Sequence, residues 1–335
     1  MIKFIRISEN GSPKYQQIIT GIFDAIESGE LKKDDRIPSL KQLMNEFDIS
    51  QDTVLKAYNQ LKSMGVITSV VGKGYFIKRE QTAQHHRVFL LFDNLAPYKE
   101  DLYQSIKEVF GEESSVDIFF HHDNETIYKK LINDALGKYT VYIIMPVEDP
   151  KMDEFLIKTL PERSVYIVDK GSKTLIENYP HVIQGYKHDV IENLSKAYER
   201  IKKYKRIRFI RRSARPHFLE IEDGIRSFAM KHNFPCEVIQ STTGIVIDQG
   251  DLFVVIEDRD LVLIIEQTKE RAFKLGLEIG IISYNETQLK KVIANGITTV
   301  STDFQLMGKT LAEMAMNKKR SSIYNKSNII IRNSI

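Results

Sequence analysis

The sequence predicts an α/β protein in which a small helical N-terminal domain precedes a larger domain of doubly wound parallel sheets. Three patterns support this prediction. Two short amphipathic helices are joined by a tight turn before residue 50, and a two-stranded hairpin follows them. From residue 87 onward, apolar strands alternate with helices. Strands that are apolar throughout are typical of a parallel sheet covered on both faces.

The first elements of the chain are a predicted strand and a predicted helix. Residues 2–7 alternate in polarity and predict a short leading strand. A helix is predicted from Lys14 to Ser28, because apolar residues recur at helical spacing between Tyr15 and Ile26. Gly29 follows directly and is suited to ending the helix. This helix should pack under the two helices that follow and complete a three-helix core.

The next two helices form a helix-turn-helix. Pro38 and Ser39 are suited to the start of a short helix that ends near Phe47. Three residues then lead into a second helix, for which Ser50 is a good N-cap and Gly65 a good terminator. Two short helices joined this tightly are a helix-turn-helix. The runs 66–71 and 75–77 around Gly72-Lys73-Gly74 predict a hairpin with a basic tip, which is a wing.

These segments resemble the winged-helix domain of GntR-type bacterial transcription regulators. The resemblance covers about residues 13–78 and rests on PKYQQIITGIFDAIESGEL, DRIPSLKQLMNEFDIS, TVLKAYNQLKSMGVI and GKGYFI, in the order of the family. It implies binding to double-stranded DNA. The family usually has Arg where Lys41 and Gln51 stand here. Lys41 keeps the positive charge but lacks the guanidinium group that lets Arg make two parallel hydrogen bonds. Gln51 has no charge, so the base that the family's Arg reads cannot be assumed for position 51.

Seven residues are expected to contact DNA. Gln51 and Asp52 are expected at base edges, because Gln can pair bidentately with adenine and Asp can accept from cytosine. An alternative for Asp52 is that it stabilises the dipole of the helix. Lys41 and Lys73 should hold phosphate, with Lys73 near the minor groove, while the two hydroxyl residues contact phosphate or base. The full set is Lys41, Ser50, Gln51, Asp52, Thr53, Lys56 and Lys73.

Composition is consistent with a DNA-binding segment in a soluble protein. Residues 1–79 hold 12 Lys and Arg against 9 Asp and Glu, a surplus equal to the net charge of +3 of the whole chain. Cys236 is the single cysteine, so no intrachain disulfide can form, which suits a reducing cytoplasm. The N-terminus has no apolar core of a signal peptide, and the apolar runs are too short to span a membrane.

Catalytic signatures are absent from the sequence. It contains no G-x-x-x-x-G-K-S/T loop, no G-x-S-x-G and no H-E-x-x-H. We therefore expect no enzyme activity, no cofactor and no metal. The adjacent His85 and His86 are interpreted as residues of a linker over 80–86.

The C-terminal part carries a second resemblance. ANGITTVSTDFQLMGKTLAEMA is similar to the segment where LacI-type regulators cross between their two lobes, and Thr298, Thr299, Met307 and Gly308 match that pattern. IIIRNS resembles the last strand of the same family. The resemblance covers roughly residues 87–335 and implies a two-lobed, periplasmic-binding-protein-like effector domain. Lobe 1 is expected at about 87–185 and 300–317, and lobe 2 at about 186–299 and 318–335.

Polar residues after the strand ends predict an effector pocket, because ligands of open α/β sheets bind at the carboxyl ends of the strands. The mixture of carboxylates, amides and Tyr rings suggests a neutral monosaccharide. The Arg and His residues leave a phosphorylated sugar or a sugar acid as the alternative. The candidates are Asp93, Asn94, Tyr98, His121, His122, Gln184, Tyr186, Arg212, Arg215, His217, Glu257, Asp258, Arg259, Asn285 and Glu286.

The sequence as a whole predicts a transcription regulator with a small-molecule sensor. Two other classes are alternatives. An enzyme with an accessory DNA-binding domain needs a longer chain and a cofactor lysine, and the two-lobe pattern argues against an architectural DNA binder without a ligand. No leucine-rich helix follows Ile335, so we expect a homodimer and not a tetramer. A two-fold dimer should bind an inverted-repeat operator, because its two recognition helices are related by the same symmetry as the half-sites.

Overall fold

The structure is a computed structural model that describes residues 2–7, 13–78, 86–136 and 138–335. Its contacts divide the chain into two compact units. The first comprises the chain up to Leu91, Gly111–Ile143 and Lys151–Val165, and the second comprises Phe92–Phe110, Ile144–Pro150 and Tyr166–Ile335. The predicted domain boundaries remain predictions. Residues 80–85 of the predicted linker, including His85, lie outside the described residues.

The N-terminal elements form a winged helix-turn-helix. In chain order they are α1 Lys14–Glu27, α2 Leu40–Phe47, α3 Gln51–Ser63, β1 Ile67–Val70 and β2 Gly74–Ile77. Ser39 and Gln42 form a capping box at the start of α2, and Asp48 ends that helix in the left-handed conformation. β1 and β2 pair antiparallel, as expected for a wing.

One local prediction is wrong: residues 2–7 form no strand. Ile5 instead inserts into the core of the helical domain, where it is 2% exposed beside Ile18 and Ile22 of α1. Ile2, Phe4 and Ile7 are partly buried against the same core, so the apolar residues of this segment pack against helices and do not pair in a sheet. Gly21 permits this approach, since an added Cβ would lie 2.6 Å from the carbonyl oxygen of Phe4.

The remainder of the chain alternates strands and helices, as predicted. Its strands are β3 Arg87–Phe92, β4 Ser115–Phe120, β5 Val141–Ile144, β6 Val165–Asp169, β7 His181–Ile183, β8 Arg206–Ile210, β9 Cys236–Ile239, β10 Asp251–Val255, β11 Gly280–Tyr284, β12 Thr298–Thr302, β13 Ser322–Tyr324 and β14 Ser327–Ile330. Its helices are α4 Tyr98–Phe110, α5 Glu125–Ala135, α6 Pro150–Thr159, α7 Lys173–Asn178, α8 Tyr186–Lys196, α9 Tyr198–Ile201, α10 Pro216–Lys231, α11 Asp258–Glu270 and α12 Phe304–Met316.

These strands form two six-stranded sheets. One has the order β13-β7-β6-β5-β3-β4 and the other β14-β12-β11-β10-β8-β9. The pairs of β8 with β9 and β10, of β10 with β11 and of β11 with β12 are parallel, whereas β14 runs antiparallel to β12. The predicted α/β class with parallel sheets is confirmed.

Burial in the second unit explains why its strands are apolar throughout. β10 and β11 are buried along their whole length. One face packs against α8 and α10 through residues such as Val190, Ile225 and Phe228, and the other packs against Ile264 of α11. Within the described residues, the structure contains no helix long and apolar enough to cross a membrane.

Candidate functional sites

The first candidate site is the N-terminal end of α3. Ser50 caps the helix, since its Oγ accepts from the backbone N–H of Thr53 at 3.3 Å and lies 2.9 Å from the Thr53 hydroxyl. Gln51 and Asp52 follow in the first turn with exposed side chains. The structure thus brings these four predicted residues together at a helix N-terminus, where backbone N–H groups and the helix dipole favour a phosphate.

The other three predicted DNA contacts lie on separate elements. Lys41 is exposed in the first turn of α2, and Lys73 is exposed in the turn between β1 and β2. Lys56 is exposed on α3, with its Nζ 4.0 Å from the ring centroid of Tyr15. This ring holds the ammonium at the helix surface. The predicted contacts therefore occupy a helix start, a neighbouring helix and a wing tip, as in proteins that read one groove and grip the adjacent backbone.

The sequence places Val71 in the wing but does not place Arg36 beside it. Val71, at the tip, is 99% exposed. Arg36 is also exposed, and its backbone forms an isolated antiparallel β-bridge with Phe76 of β2. Gly74 lets the Arg36 guanidinium approach, because an added Cβ would lie 3.3 Å from its Nε. Arg36 is 38 positions from Gly74, so no local sequence pattern places it there.

The second candidate site is a cavity of about 390 Å³ in the second unit. This volume lies within the range of small-molecule pockets. The cavity collects residues that follow the carboxyl ends of strands. Its lining is Asp93, Asn94, Leu95, Ala96, Pro97, Tyr98, Asp169, Gln184, Tyr186, Arg215, His217, Phe218, Ile221, Ile256, Glu257, Asp258, Tyr284, Asn285, Thr287 and Lys290.

Ten of the fifteen predicted effector residues line this cavity. The other five do not line it, and four of these have contacts elsewhere that account for their positions. Arg212 binds Asp260 through Nε at 2.9 Å, and Glu286 binds Arg332 at 2.7 Å. Arg259 pairs with Glu257 at 2.5 Å. His121 is buried with its ring edge-on to Tyr128, and His122 is exposed.

A buried charge cluster supports one wall of the cavity. Asp93 lies between two lysines: Lys99, whose Nζ contacts Asp93 Oδ1, and Lys170, whose Nζ lies 2.8 Å from Oδ2. Both lysine side chains are 2% exposed. Burial raises the pKa of the Asp93 carboxyl, but Lys170 and Lys99 together outweigh burial and hold that pKa well below its usual range. Burial lowers the pKa of Lys99, and Asp93 opposes that shift.

A second pair joins two loops at the cavity. Glu148 Oε2 contacts His217 Nδ1, and Glu148 Oε1 accepts from the backbone N–H of His217 at 3.1 Å. Burial raises the pKa of the Glu148 carboxyl, but the hydrogen bonds and charge of His217 lower it by more. Glu148 thereby fixes the first turn of α10 beside the cavity and links it to the loop after β5.

Lys290 organises a third group. Its Nζ lies 2.9 Å from Asp258 Oδ1 and donates to the backbone oxygens of Tyr284 at 2.9 Å and Asn285 at 2.8 Å. Asn285 has a φ of +61°, a left-handed conformation that costs free energy unless the surroundings hold it. Lys290 supplies this support. Asn285 therefore stands at the end of β11 in a strained but fixed conformation.

Three residues of the cavity lining carry a buried polar atom that has no hydrogen-bond partner within the described part of the chain. Among the described residues, none hydrogen-bonds to Gln184 Oε1, Tyr284 OH or Asn285 Oδ1, although all three atoms are buried. Buried polar atoms in native proteins are normally paired, so each such exception needs an explanation. All three belong to residues of the cavity lining. A ligand with hydroxyl groups could pair with them.

Several lining residues are not among the predicted effector residues. Asp169 is the last residue of β6 and Tyr284 the last of β11, so the rule that pockets form at strand ends could have found both. Lys290 lies beyond β11 in a short 3-10 turn, Leu289–Lys291, and had no such signal. Within the described residues there is no cluster of three His, Cys, Asp or Glu side chains that could hold a metal.

Comparison with known proteins shows what these two sites resemble. Residues 14–77 match the family of bacterial regulatory proteins of the gntR family. The chain carries a GntR-type helix-turn-helix domain. Residues 200–334 match the periplasmic binding protein-like domain. The predicted resemblances to GntR-type regulators and to a periplasmic-binding-protein-like fold are confirmed over these residues.

Curated relatives are similar to a part of this chain in sequence. The arabinose metabolism transcriptional repressor of Geobacillus stearothermophilus is 34% identical over 73 residues, which are 22% of this chain and 20% of that protein. The chain spans about 20–29% of the length of this and two further curated relatives. The similarity to these three relatives covers 20–22% of this chain.

Two solved structures share the fold of the larger part. A LacI-type regulator from Alkaliphilus metalliredigens, complexed with D-xylulofuranose, is 13% identical with a TM-score of 0.60, over 74% of this chain and 98% of that one. The Lac repressor bound to ONPG is 14% identical with a TM-score of 0.62, over 86% of this chain and 92% of that one. At these identities the similarity shows the fold alone. These relatives and neighbours are regulators and not enzymes.

Proposed function

We propose that this protein is a sequence-specific transcription regulator whose affinity for operator DNA is controlled by a monosaccharide bound in the 390 Å³ cavity. The observation that carries the proposal is the combination of a GntR-type helix-turn-helix with a cavity whose lining residues include three with buried polar atoms that pair with none of the described residues. The DNA contacts are the seven residues of α2, α3 and the wing. The protein acts as a homodimer on an inverted repeat.

The chemistry of the cavity favours a ligand with hydroxyl groups. Gln184 Oε1 and Asn285 Oδ1 are acceptors, and Tyr284 OH can donate or accept. Tyr98 and Tyr186 also belong to the cavity lining, and aromatic rings can pack against the apolar face of a sugar. A cavity that combines such faces with a few fixed polar groups is typical of small-molecule sites.

Charge distribution favours a neutral ligand over a sugar phosphate or a sugar acid. Each cation of the lining already faces a carboxylate: Lys290 faces Asp258 at 2.9 Å, and Arg215 Nη1 lies 3.9 Å from Asp93 Oδ2. His217 contacts Glu148. An anionic ligand would have to compete with these carboxylates. A neutral sugar leaves every pair in place.

The names of similar proteins agree with this proposal. The Geobacillus relative is a repressor of arabinose metabolism, and the Alkaliphilus neighbour was crystallised with a pentulose. Binding of the effector should favour one of two conformations of the protein and so change its affinity for operator DNA. Residence of the chain in the cytoplasm is part of the same proposal.

A thermal-shift screen of the full chain tests this proposal. Neutral pentoses and hexoses should raise the melting temperature, since a ligand at about 100 times its Kd stabilises the native state by about 2.7 kcal/mol. The matching sugar phosphates and aldonic acids should not. Any sugar that binds should also change the affinity for operator DNA in a fluorescence-anisotropy titration. If only the sugar phosphates or aldonic acids raise the melting temperature, the effector is a phosphorylated sugar or a sugar acid and not a neutral sugar.

A further inference from the structure

Asp169 and Gln184 form a buried pair at one wall of the cavity. Asp169 ends β6, and Gln184 follows the adjacent parallel strand β7. The backbone N–H of Gln184 donates to the Asp169 carbonyl oxygen at 2.9 Å, and Gln184 Nε2 donates to Asp169 Oδ1 at 2.5 Å. The two residues are 5% and 7% exposed. Main chain and side chain together fix their relative position.

The backbone of Asp169 is in an unusual conformation for its place in a sheet. Its φ is +71°, a left-handed value that a non-glycine residue adopts at a cost in free energy. Such residues concentrate at functional sites, where surrounding structure holds them. Asp169 adopts this conformation at the end of β6, where its carboxylate accepts a hydrogen bond from the Gln184 amide.

The carboxylate decides which end of the amide faces the cavity. An ionised carboxylate only accepts hydrogen bonds, whereas an amide has a donor end and an acceptor end. Gln184 must therefore direct Nε2 toward Asp169. Its Oε1 is left buried, and among the described residues none pairs with it. Gln184 belongs to the cavity lining, and Oε1 is the end of its amide that Asp169 does not occupy.

We infer that Asp169 is a positioning residue that orients the Gln184 amide, so that the effector must donate a hydroxyl hydrogen to Gln184 Oε1. The inference rests on the proposed function and narrows its ligand class. The effector is a polyhydroxylated molecule with a free hydroxyl at this position. Replacement of that hydroxyl by fluorine, which cannot donate, or its methylation should remove the contact.

Asn285 provides an internal comparison. Its Oδ1 is also a buried acceptor without a partner among the described residues, but its backbone is held by Lys290 and not by Asp169. The contact that Asn285 makes should not depend on the state of Asp169. A substitution at Asp169 should therefore change the selectivity for one sugar hydroxyl and leave the selectivity for the other hydroxyls unchanged.

The experiment uses isothermal titration calorimetry on the full chain. The probes are D-glucose, D-xylose, L-arabinose and D-ribose, each with its series of monodeoxyfluoro analogues. For the sugar that binds, one analogue should lose about 10- to 100-fold in affinity, the cost of leaving a buried acceptor unpaired. In Asp169→Asn that selectivity should fall toward 1, because the new amide can donate or accept and Gln184 is free to reverse.

A reciprocal exchange completes the test. In the double variant Asp169→Asn with Gln184→Glu, the new amide donates to the new carboxylate, whose second oxygen faces the cavity as an acceptor. The double variant should regain the selectivity against the same fluoro analogue, whereas Asn285→Ala should lower the affinity for all sugars without abolishing that selectivity. Merely structural loss at Asp169 would not be rescued by the exchange.

The outcomes separate the inference from the proposed function. Binding of a sugar with equal fluoro selectivity in the wild type and in Asp169→Asn overturns the inference alone. If no sugar of the panel binds the wild type, the proposed monosaccharide and the inference both fail. If Asp169→Asn does not unfold cooperatively, Gln184→Met replaces it in the test, because this substitution removes the acceptor directly. Gln184→Met must lose the selectivity against the fluoro analogue. If Gln184→Met keeps that selectivity, the inference is also overturned.

Discussion

Lys170 and Asp93 form a buried ion pair across 77 positions of sequence, with Nζ 2.8 Å from Oδ2 and both residues at most 4% exposed. Lys99 contacts the other oxygen of the same carboxylate. One carboxylate thus supports two buried ammonium groups at the wall of the cavity. Removing it should cost far more than removing a surface partner.

Asp93→Asn should lower the free energy of unfolding by about 3–5 kcal/mol, because it leaves buried lysines without this carboxylate. Urea denaturation followed by circular dichroism measures this loss. Glu154→Gln is the control, since Glu154 pairs with Lys158 on the surface with both side chains mostly exposed, and little change is expected there. Equal effects of the two substitutions would contradict a structural role for the buried cluster.

Effector selectivity should depend on pH through Asp169. Burial raises the pKa of its carboxyl, which the hydrogen bond from Gln184 opposes; Lys99, Asp93 and Lys170 also face it. Once pH falls below that raised pKa, the protonated carboxyl can donate, and Gln184 is no longer held in one orientation. Discrimination against the fluoro analogue should therefore weaken on acidification. Calorimetry at several pH values measures it, and Asp169→Asn should give a flat profile.

Gly308→Ala should destabilise the protein by about 1–3 kcal/mol or more, as an overpacked contact does. Gly308 lies where α12 crosses α4, and an added Cβ would be 2.6 Å from the carbonyl oxygen of Leu102 and in conflict with Ser105. Gly185→Ala is the matched control, because its nearest side-chain atom would be Asp189 Oδ1 at 3.5 Å and its φ is −104°. Thermal unfolding of both variants compares them. A loss of equal size in both would rule out the close crossing as the cause.

Lys73→Ala should weaken binding to all operator variants similarly and reduce the salt dependence of binding by about one phosphate contact. Gln51→Ala should instead change the preference among operators, because it is expected at base edges. Anisotropy titrations at several salt concentrations measure both effects. Lys107→Ala, an exposed lysine of α4, should change neither. The division of roles is wrong if the first two variants weaken every site equally.

Asn285→Ala and Asp258→Ala should each remove the response of operator binding at the sugar concentration that half-saturates the wild-type protein. The first substitution removes the amide oxygen of Asn285, a residue of the cavity lining. The second removes the carboxylate that faces Lys290. Operator titrations with and without the sugar identified by thermal shift measure the response. Asn133→Ala, an exposed residue of α5, is the matched control. A normal response in either cavity variant would remove that residue from the proposed site.

The sequence by itself determined the winged helix-turn-helix and the alternation of strands and helices. Both follow from local signals: Ser39 and Ser50 cap their helices as their positions predict, and buried strands such as β10 are apolar throughout. It also gave ten cavity residues, because the rule that ligands bind at strand ends needs only the position of each end.

Tertiary structure alone decided which of those polar residues share the cavity. Arg212 and Glu286 follow strands just as Asp93 does, but neither lines the cavity. Arg212 forms an ion pair with Asp260, and Glu286 forms one with Arg332. Lys170 and Glu148 support the cavity because the order of the sheets brings together segments that are far apart in sequence. Local periodicity encodes which face of an element is buried, but the partner of a charged side chain depends on how all the elements pack.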